Sequence, residues 1–141
     1  MQWNRGEHRV TTDIETFDFD VIHHYLSTVA YWSPGVPRET VERAARHSLA
    51  FGLLEGARQI GYARVITDTA TFAYLADVFV LPEHQGAGLG KWMMQCVMAH
   101  PDLQGLRRMM LVTSDAHGLY ARFGFRASAH PERIMEKITK A

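Results

Sequence analysis

The chain has 141 residues and a mass of 16.0 kDa, the size of one domain spanning 1–141 that buries about two-thirds of the surface its unfolded form exposes. Its 15 Lys plus Arg balance 15 Asp plus Glu with no block of like charge, which argues against a nucleic-acid groove. Its apolar runs fall well short of the roughly 20 residues of a membrane span, and the start Met1-Gln2-Trp3-Asn4-Arg5-Gly6 lacks a signal peptide's apolar stretch, so a cytoplasmic protein without a membrane partner is expected.

Residues 9–12 read as a first strand. Asp18 or Asp20 then caps a helix with Val21, Ile22, Tyr25, Leu26 and Val29 on its apolar side, ending near Tyr31. Ser33-Pro34-Gly35-Val36-Pro37 is turn chemistry. The helix after it has Glu39 and Glu42 early and Arg43, Arg46 and His47 late, the order a helix dipole favours. Leu49, Phe51 and Leu53 begin a strand, Glu55 to Arg58 interrupt it, and Gln59 to Thr67 return as the second arm of a hairpin. After a break at Asp68-Thr69-Ala70, Phe72 to Leu81 is apolar enough to be a central strand covered on both faces.

A helix from about Gly88 to His100 stops at Pro101, and Arg107 to Thr113 resumes as a strand, giving a parallel crossover. Ser114 or Asp115 caps a helix with Leu119, Tyr120 and Phe123, ended by Gly124, and a last strand is expected around Ile134 to Ile138. The order predicts an α/β (α+β mixed sheet) domain with helices on both faces. The single cysteine, Cys96, rules out an internal disulfide framework and sits among apolar helix positions as a core residue. Eight histidines offer no pair at helical ligand spacing with an acidic partner, and adjacent His23 and His24 point to different faces, so no metal is expected.

The most informative segment is Asp77-Val-Phe-Val-Leu-Pro-Glu-His-Gln-Gly-Ala-Gly-Leu-Gly-Lys-Trp92, a strand that stops at Pro82 and turns through Gly86, Gly88 and Gly90 into a helix. Glycines in such a turn let backbone amides face a ligand together, and the helix dipole and Lys91 add positive potential at the same opening. A phosphate cradle follows from that chemistry. A Walker loop would need Gly where Gln85 stands and Ser or Thr where Trp92 stands. A dinucleotide fingerprint would need Gly or Ala where Lys91 or Met93 stands.

The remaining pattern, Gln85-x-x-Gly88-x-Gly90, resembles the pyrophosphate-binding signature of the GNAT family of N-acetyltransferases. So do Ile60-Gly61-Tyr62-Ala63, Val78-Phe79-Val80 before Pro82, and Leu119-Tyr120 with Phe123-Gly124-Phe125, in the same order along nearly the whole chain. The resemblance implies a GNAT-like acyl-CoA N-acyltransferase fold with a central mixed sheet splayed at the cofactor site. It implies acetyl-CoA as co-substrate, with the diphosphate on the backbone of Gln85, Gly86, Ala87, Gly88, Leu89, Gly90 and Lys91 and pantetheine along Val78, Phe79 and Val80. Ala87 departs from the family's frequent basic residue there, which removes a side-chain charge from the cradle.

The implied reaction is direct attack of a free amine on the thioester, with the Val80 amide facing the developing oxyanion and Tyr120 protonating the coenzyme A thiolate. An alkylamine arrives protonated at neutral pH, and Asp77 on the expected central strand is one candidate to take the proton, directly or through water, with His84 and Asp115 as rivals. Tyr31, Trp32 and Tyr74 fall where the amine pocket is expected, and aromatic rings there would hold a cation. The expected partner is a small-molecule amine, with a homodimer left open. Acetylation of protein termini or peptides, and a non-catalytic acyl-CoA sensor, are the alternatives.

Overall fold

The structure, a computed structural model, describes residues 1–139. It contains six strands, β1 (Gln2–Arg5), β2 (His8–Thr11), β3 (Leu49–Glu55), β4 (Arg58–Thr67), β5 (Phe72–Val80) and β6 (Arg108–Leu111). Four α-helices join them, α1 (Phe19–His24), α2 (Arg38–Arg46), α3 (Leu89–Ala99) and α4 (His117–Ala121). The strands lie in one sheet in sequence order, antiparallel from β1 to β5 and parallel between β5 and β6. The segment expected to be central is thus the fifth of six strands, still an inner one. No helix among the described residues is long and apolar enough to cross a membrane.

Strand alternation divides the core in two. Phe51 and Leu53 of β3 pack on one side with Met93, Met94 and Val97 of α3, and Cys96 is buried in that cluster, its thiol pushed up to about 11 by burial. Ala50, facing the other way, joins Ile22 and Leu26 from the first helical segment, Val41 and Ala45 of α2, and Tyr62 and Phe79. A helical layer on each face of a mixed sheet is the predicted architecture.

Local chemistry explains most boundaries. Asp18 caps α1, its Oδ1 accepting from the amides of Asp20 at 3.0 Å and Val21 at 3.4 Å. α1 runs directly into a π-helical turn at Tyr25–Val29, where the Ser27 and Thr28 hydroxyls donate to the carbonyls of His23 and His24. Val29 lies beyond that turn's buried side and is half exposed, contrary to the expected apolar stripe. β1 escaped prediction because its sequence, Gln-Trp-Asn-Arg, is almost wholly polar and exposed.

Three expectations at the C-terminal end need correction. Neither Ser114 nor Asp115 caps α4, whose N-cap Ala116 has no side-chain cap; Thr113 Oγ1 accepts from the Ala116 amide at 3.0 Å, and β6 ends at Leu111, before the expected Thr113. No strand forms at Ile134–Ile138. Ile134 and Ile138 share a strand face with Glu136, while Lys137 spoils the other, so neither face offers a continuous apolar surface to bury, and Met135 is 93% exposed. Pro131 and its 3-10 turn precede this extended segment.

Candidate active site

Two departures from regularity open β5. Tyr62 pairs with Phe79 and Arg64 with Ala76, so two steps on β4 match three on β5, and the extra residue forms a bulge at Asp77, whose φ is +56°. On the other side β6 pairs with β5 only from Phe72 to Leu75. Beyond Leu75 the strands separate, and the backbone of residues 77–80 has no neighbour there. The Leu81 amide donates to Ile60 O at 2.8 Å, so by strand alternation the polar groups of Val80 point away from β4, into the gap. Gln85 Nε2 donates to Val80 O at 2.8 Å and ties the following turn to the strand end, leaving the Val80 amide facing the opening.

That turn is the glycine-rich segment. Gly86 and Gly88 adopt left-handed φ values of +87° and +78°, and a Cβ on either would meet no atom within 4 Å. Gly88 is the N-cap of α3 without any side-chain cap, and the first helical bond is donated by Trp92 to Gly88 O at 3.0 Å. Among the described residues, none of the amides from Gly86 to Lys91 has a hydrogen-bond acceptor. Six donors at an exposed helix start, with the Lys91 ammonium beside them, form a cradle that a diphosphate fits. Gly90 differs from the other two: its φ is ordinary and its Cβ would touch only Val80 Cγ2 at 3.8 Å. Its reason for being glycine is therefore not conformational.

Tyr120, on α4, is 8% exposed and lines two cavities. The larger, about 860 Å³, lies along β6 and the chain after Gly124. The smaller, about 370 Å³, brings Tyr120 together with Tyr31, Trp32, Tyr74, Asp77 and Asp115, residues dispersed over 90 positions of sequence. Burial, then the charge of Asp115 and the neighbouring Tyr31, raise the Tyr120 phenol above its ordinary value, so it carries its proton at neutral pH. Tyr25, stacked on Phe79 with ring centroids 4.0 Å apart, is raised by burial and by the same Asp115 charge.

Asp77 lies in the cavity but is engaged. Its Oδ2 accepts from Arg64 Nε at 2.8 Å, and its Oδ1 accepts from Trp32 Nε1 at 3.1 Å. Arg64 also donates to Ser48 Oγ at 3.2 Å. His84 is turned elsewhere: its Nδ1 is 3.8 Å from Glu55 Oε2, a carboxylate that also meets His8 Nε2 at 3.1 Å, and it does not line the cavity that Asp77 lines. Tyr31 OH accepts from the amide and hydroxyl of Ser114 at 3.3 and 2.8 Å, tying the first helical segment to the loop before α4. Arg64 and Ser114 escaped the sequence reading. A signal existed for Arg64: an arginine inside the otherwise uncharged run from Gln59 to Thr67 calls for a carboxylate on the adjacent strand, and Asp77 is the only charged residue of β5.

A mixed sheet splayed beside a bulged strand, with a helix start bare of acceptors at the end of that strand, defines the acyl-CoA N-acyltransferase class of fold. Residues 46–127 match the model of the acetyltransferase (GNAT) domain. A Gibberella zeae protein, provisionally named an acetyltransferase, is 37% identical over 144 residues, covering 86% of this chain and 80% of that protein. The crystal structure of a protein of Xanthomonas campestris pv. campestris, provisionally assigned as a GNAT-family acetyltransferase, is 52% identical with a TM-score of 0.92, covering 96% of each chain. The ribosomal-protein-S18-alanine N-acetyltransferase of Escherichia coli superposes with a TM-score of 0.69 over 86% of this chain and 79% of that one, a likeness of fold alone at 20% identity. The chain belongs to the GNAT family and is an acetyltransferase. Acetyl-CoA is the co-substrate of that family, and its enzymes act on an acceptor.

Proposed function

We propose that the chain transfers the acetyl group of acetyl-CoA to a primary amine of a small molecule by direct attack in a ternary complex. The observation that carries this reading is the Val80 amide, unpartnered in the splay of the sheet between the free amides of residues 86–91 and the cavity that Tyr120 lines. In it the pantetheine arm runs along Val78, Phe79 and Val80, and the diphosphate rests on the backbone amides from Gly86 to Lys91. Gln85 instead anchors the turn, its side chain donating to Val80 O and its amide to Pro82 O at 3.3 Å, so the free donors begin at Gly86.

The chemistry then needs little from the protein. The amine nitrogen bonds to the acyl carbon, the carbon–sulfur bond breaks, and the departing thiolate takes the phenolic proton of Tyr120, whose raised pKa keeps that proton in place at neutral pH. The Val80 amide faces the oxygen on which charge develops. The amine's surplus proton passes to water in the cavity, and water returns one proton to the Tyr120 phenolate, so the enzyme ends as it began. Asp77, fully engaged by Arg64 and Trp32, is a poor direct base; in this reading it fixes the aromatic wall and takes a proton only through water. The cavity's volume of about 370 Å³ matches a small acceptor.

Thiol release from acetyl-CoA is the test. Tyr120→Phe should lower kcat by about 100-fold while coenzyme A binds as before, because only the proton donor is lost. Undiminished turnover in that variant removes Tyr120 from the chemistry, and absence of thiol release with every amine points to a non-catalytic acyl-CoA sensor instead.

A further inference from the structure

Resting on the acetyl-transfer reading above, we propose that the acceptor is a dication of the α,ω-diamine type, and that Asp115 with the rings of Tyr31 and Trp32 holds the ammonium that is not acetylated. Two carboxylates line the smaller cavity. The charge of Asp77 is matched by Arg64 at 2.8 Å, whereas Asp115 has no Lys, Arg or His partner within 4.0 Å among the described residues. Asp115, itself exposed to solvent, is therefore the one charged residue lining this cavity that no cation of the described residues pairs, and the phenols of Tyr25 and Tyr120 both feel it.

The aromatic wall lines the same cavity and is tied to the residue beside Asp115. Tyr31 is held by Ser114, the residue next to Asp115, through its hydroxyl, and its ring meets Trp32 edge-on at 5.1 Å and 89°. Trp32 is fixed in turn by its Nε1–H on Asp77. Tyr31 and Trp32 remain 60% and 42% exposed, an unusual state for two rings so firmly anchored unless a ligand covers them. Anchored aromatic faces beside a free carboxylate attract an ammonium.

That ammonium is not the reacting group. A nitrogen needs its lone pair to attack the thioester, and pairing with a carboxylate holds the proton on and the lone pair occupied. The charge that Asp115 recognises therefore belongs to a second nitrogen of the same molecule. A cavity of about 370 Å³ is near the small end of ligand pockets and suits a short unbranched chain.

The experiment compares thiol release with 1,4-diaminobutane and 1,5-diaminopentane against butylamine and pentylamine, in the wild type, Asp115→Asn and Asp115→Glu. The diamines should exceed the monoamines in kcat/KM by about tenfold or more, Asp115→Asn should collapse that ratio through KM, and Asp115→Glu should restore most of it. Equal use of mono- and diamines by the wild type overturns the inference. So does a fall in kcat of the same size for both classes in Asp115→Asn, since that makes the carboxylate the base of the reacting amine. In both cases acetyl transfer itself stands; thiol release from no amine at all overturns the inference and the reading beneath it together.

Discussion

Gly88 and Gly90 stand two residues apart in one turn, and the structure assigns them opposite responses to the same methyl group. Gly88 has φ +78°, where a side chain is strained whatever the space around it, and Gly90 has an ordinary φ with only Val80 Cγ2 near its Cβ, at 3.8 Å. Holding an alanine in the left-handed region costs about 1–2 kcal/mol, so Gly88→Ala should lower Tm by roughly 2–8 °C for a chain of this length. Replacing a glycine in the first turn of α3 by alanine removes backbone freedom from the unfolded chain, so Gly90→Ala should gain about 0.5–1 kcal/mol and raise Tm by roughly 1–4 °C. The methyl of Gly88→Ala would also project into open space at the cradle, where no protein atom lies within 4 Å. Its coenzyme A affinity, measured by titration calorimetry, should fall by about tenfold or more as the diphosphate loses its close approach to the amides. Thermal melts of the two variants side by side are the direct check. A stable Gly88→Ala that still binds coenzyme A normally, or a Gly90→Ala that destabilises as much as Gly88→Ala, would refute the assignment of left-handed backbone to the cradle.

Two further predictions concern the buried polar groups around the site. Tyr62 is fully buried and its hydroxyl has no hydrogen-bond partner, so Tyr62→Phe should stabilise the fold by about 1 kcal/mol in denaturant titrations at pH 7. Burial also raises the Tyr62 phenol far above 10, so the folded state favours the protonated form: that stability is complete below the unfolded value near 10 and is lost as the pH climbs beyond it, and Tyr62→Phe should blunt this alkaline loss. For the Arg64–Asp77 pair, whose side chains are 16% and 17% exposed, Arg64→Ala should cost about 3 kcal/mol by leaving a half-buried carboxylate uncompensated, and adding Asp77→Ala should recover part of it. A double-mutant cycle with additive losses would show that the two charges do not stabilise one another.

The parts of this fold that were legible share a property: their signal was local. Asp18 as a cap, Pro101 as a stop, the break at Glu55 to Arg58 and the glycine turn each act within a few residues of the chain, and each sits where its chemistry demands. What could not be read was set by partners distant in sequence. β1 exists because its backbone pairs with β2, and β2 with β3, not because Gln2 to Arg5 carry strand character. No side chain caps α4: the Ser114 hydroxyl is drawn to Tyr31, 83 residues away, and Thr113 holds the amide of Ala116, the residue before the helix. Ile134 to Ile138 have residues that favour a strand but no face that burial would reward. The candidate site divides the same way. The cradle was readable as a contiguous motif, whereas the smaller cavity is assembled from the end of the first helical segment, β5, β6 and the loop before α4, and only Arg64 announced a distant partner, through the cost of an unpaired charge in a buried strand.

Asp77 is where these strands of argument meet. A non-glycine residue at φ +56° carries backbone strain on the order of 1 kcal/mol, and glycine would adopt the same bulge without it. Yet a glycine could not accept the Arg64 guanidinium at 2.8 Å or the Trp32 indole at 3.1 Å. The aspartate therefore performs two tasks that glycine would separate. Its backbone makes the extra step that turns Val80's amide into the splay, and its side chain pins Trp32 in the wall of the smaller cavity. Because both tasks sit on one residue, a shift of the bulge moves Trp32, and a shift of Trp32 pulls on the bulge. In the proposed reaction these are the two surfaces that carry the thioester and the amine. Their relative position is set by a short route, the Trp32 indole hydrogen bond to the Asp77 side chain and the run of β5 from Asp77 to Val80, and it is that linkage that would keep the attacking nitrogen and the acyl carbon in register.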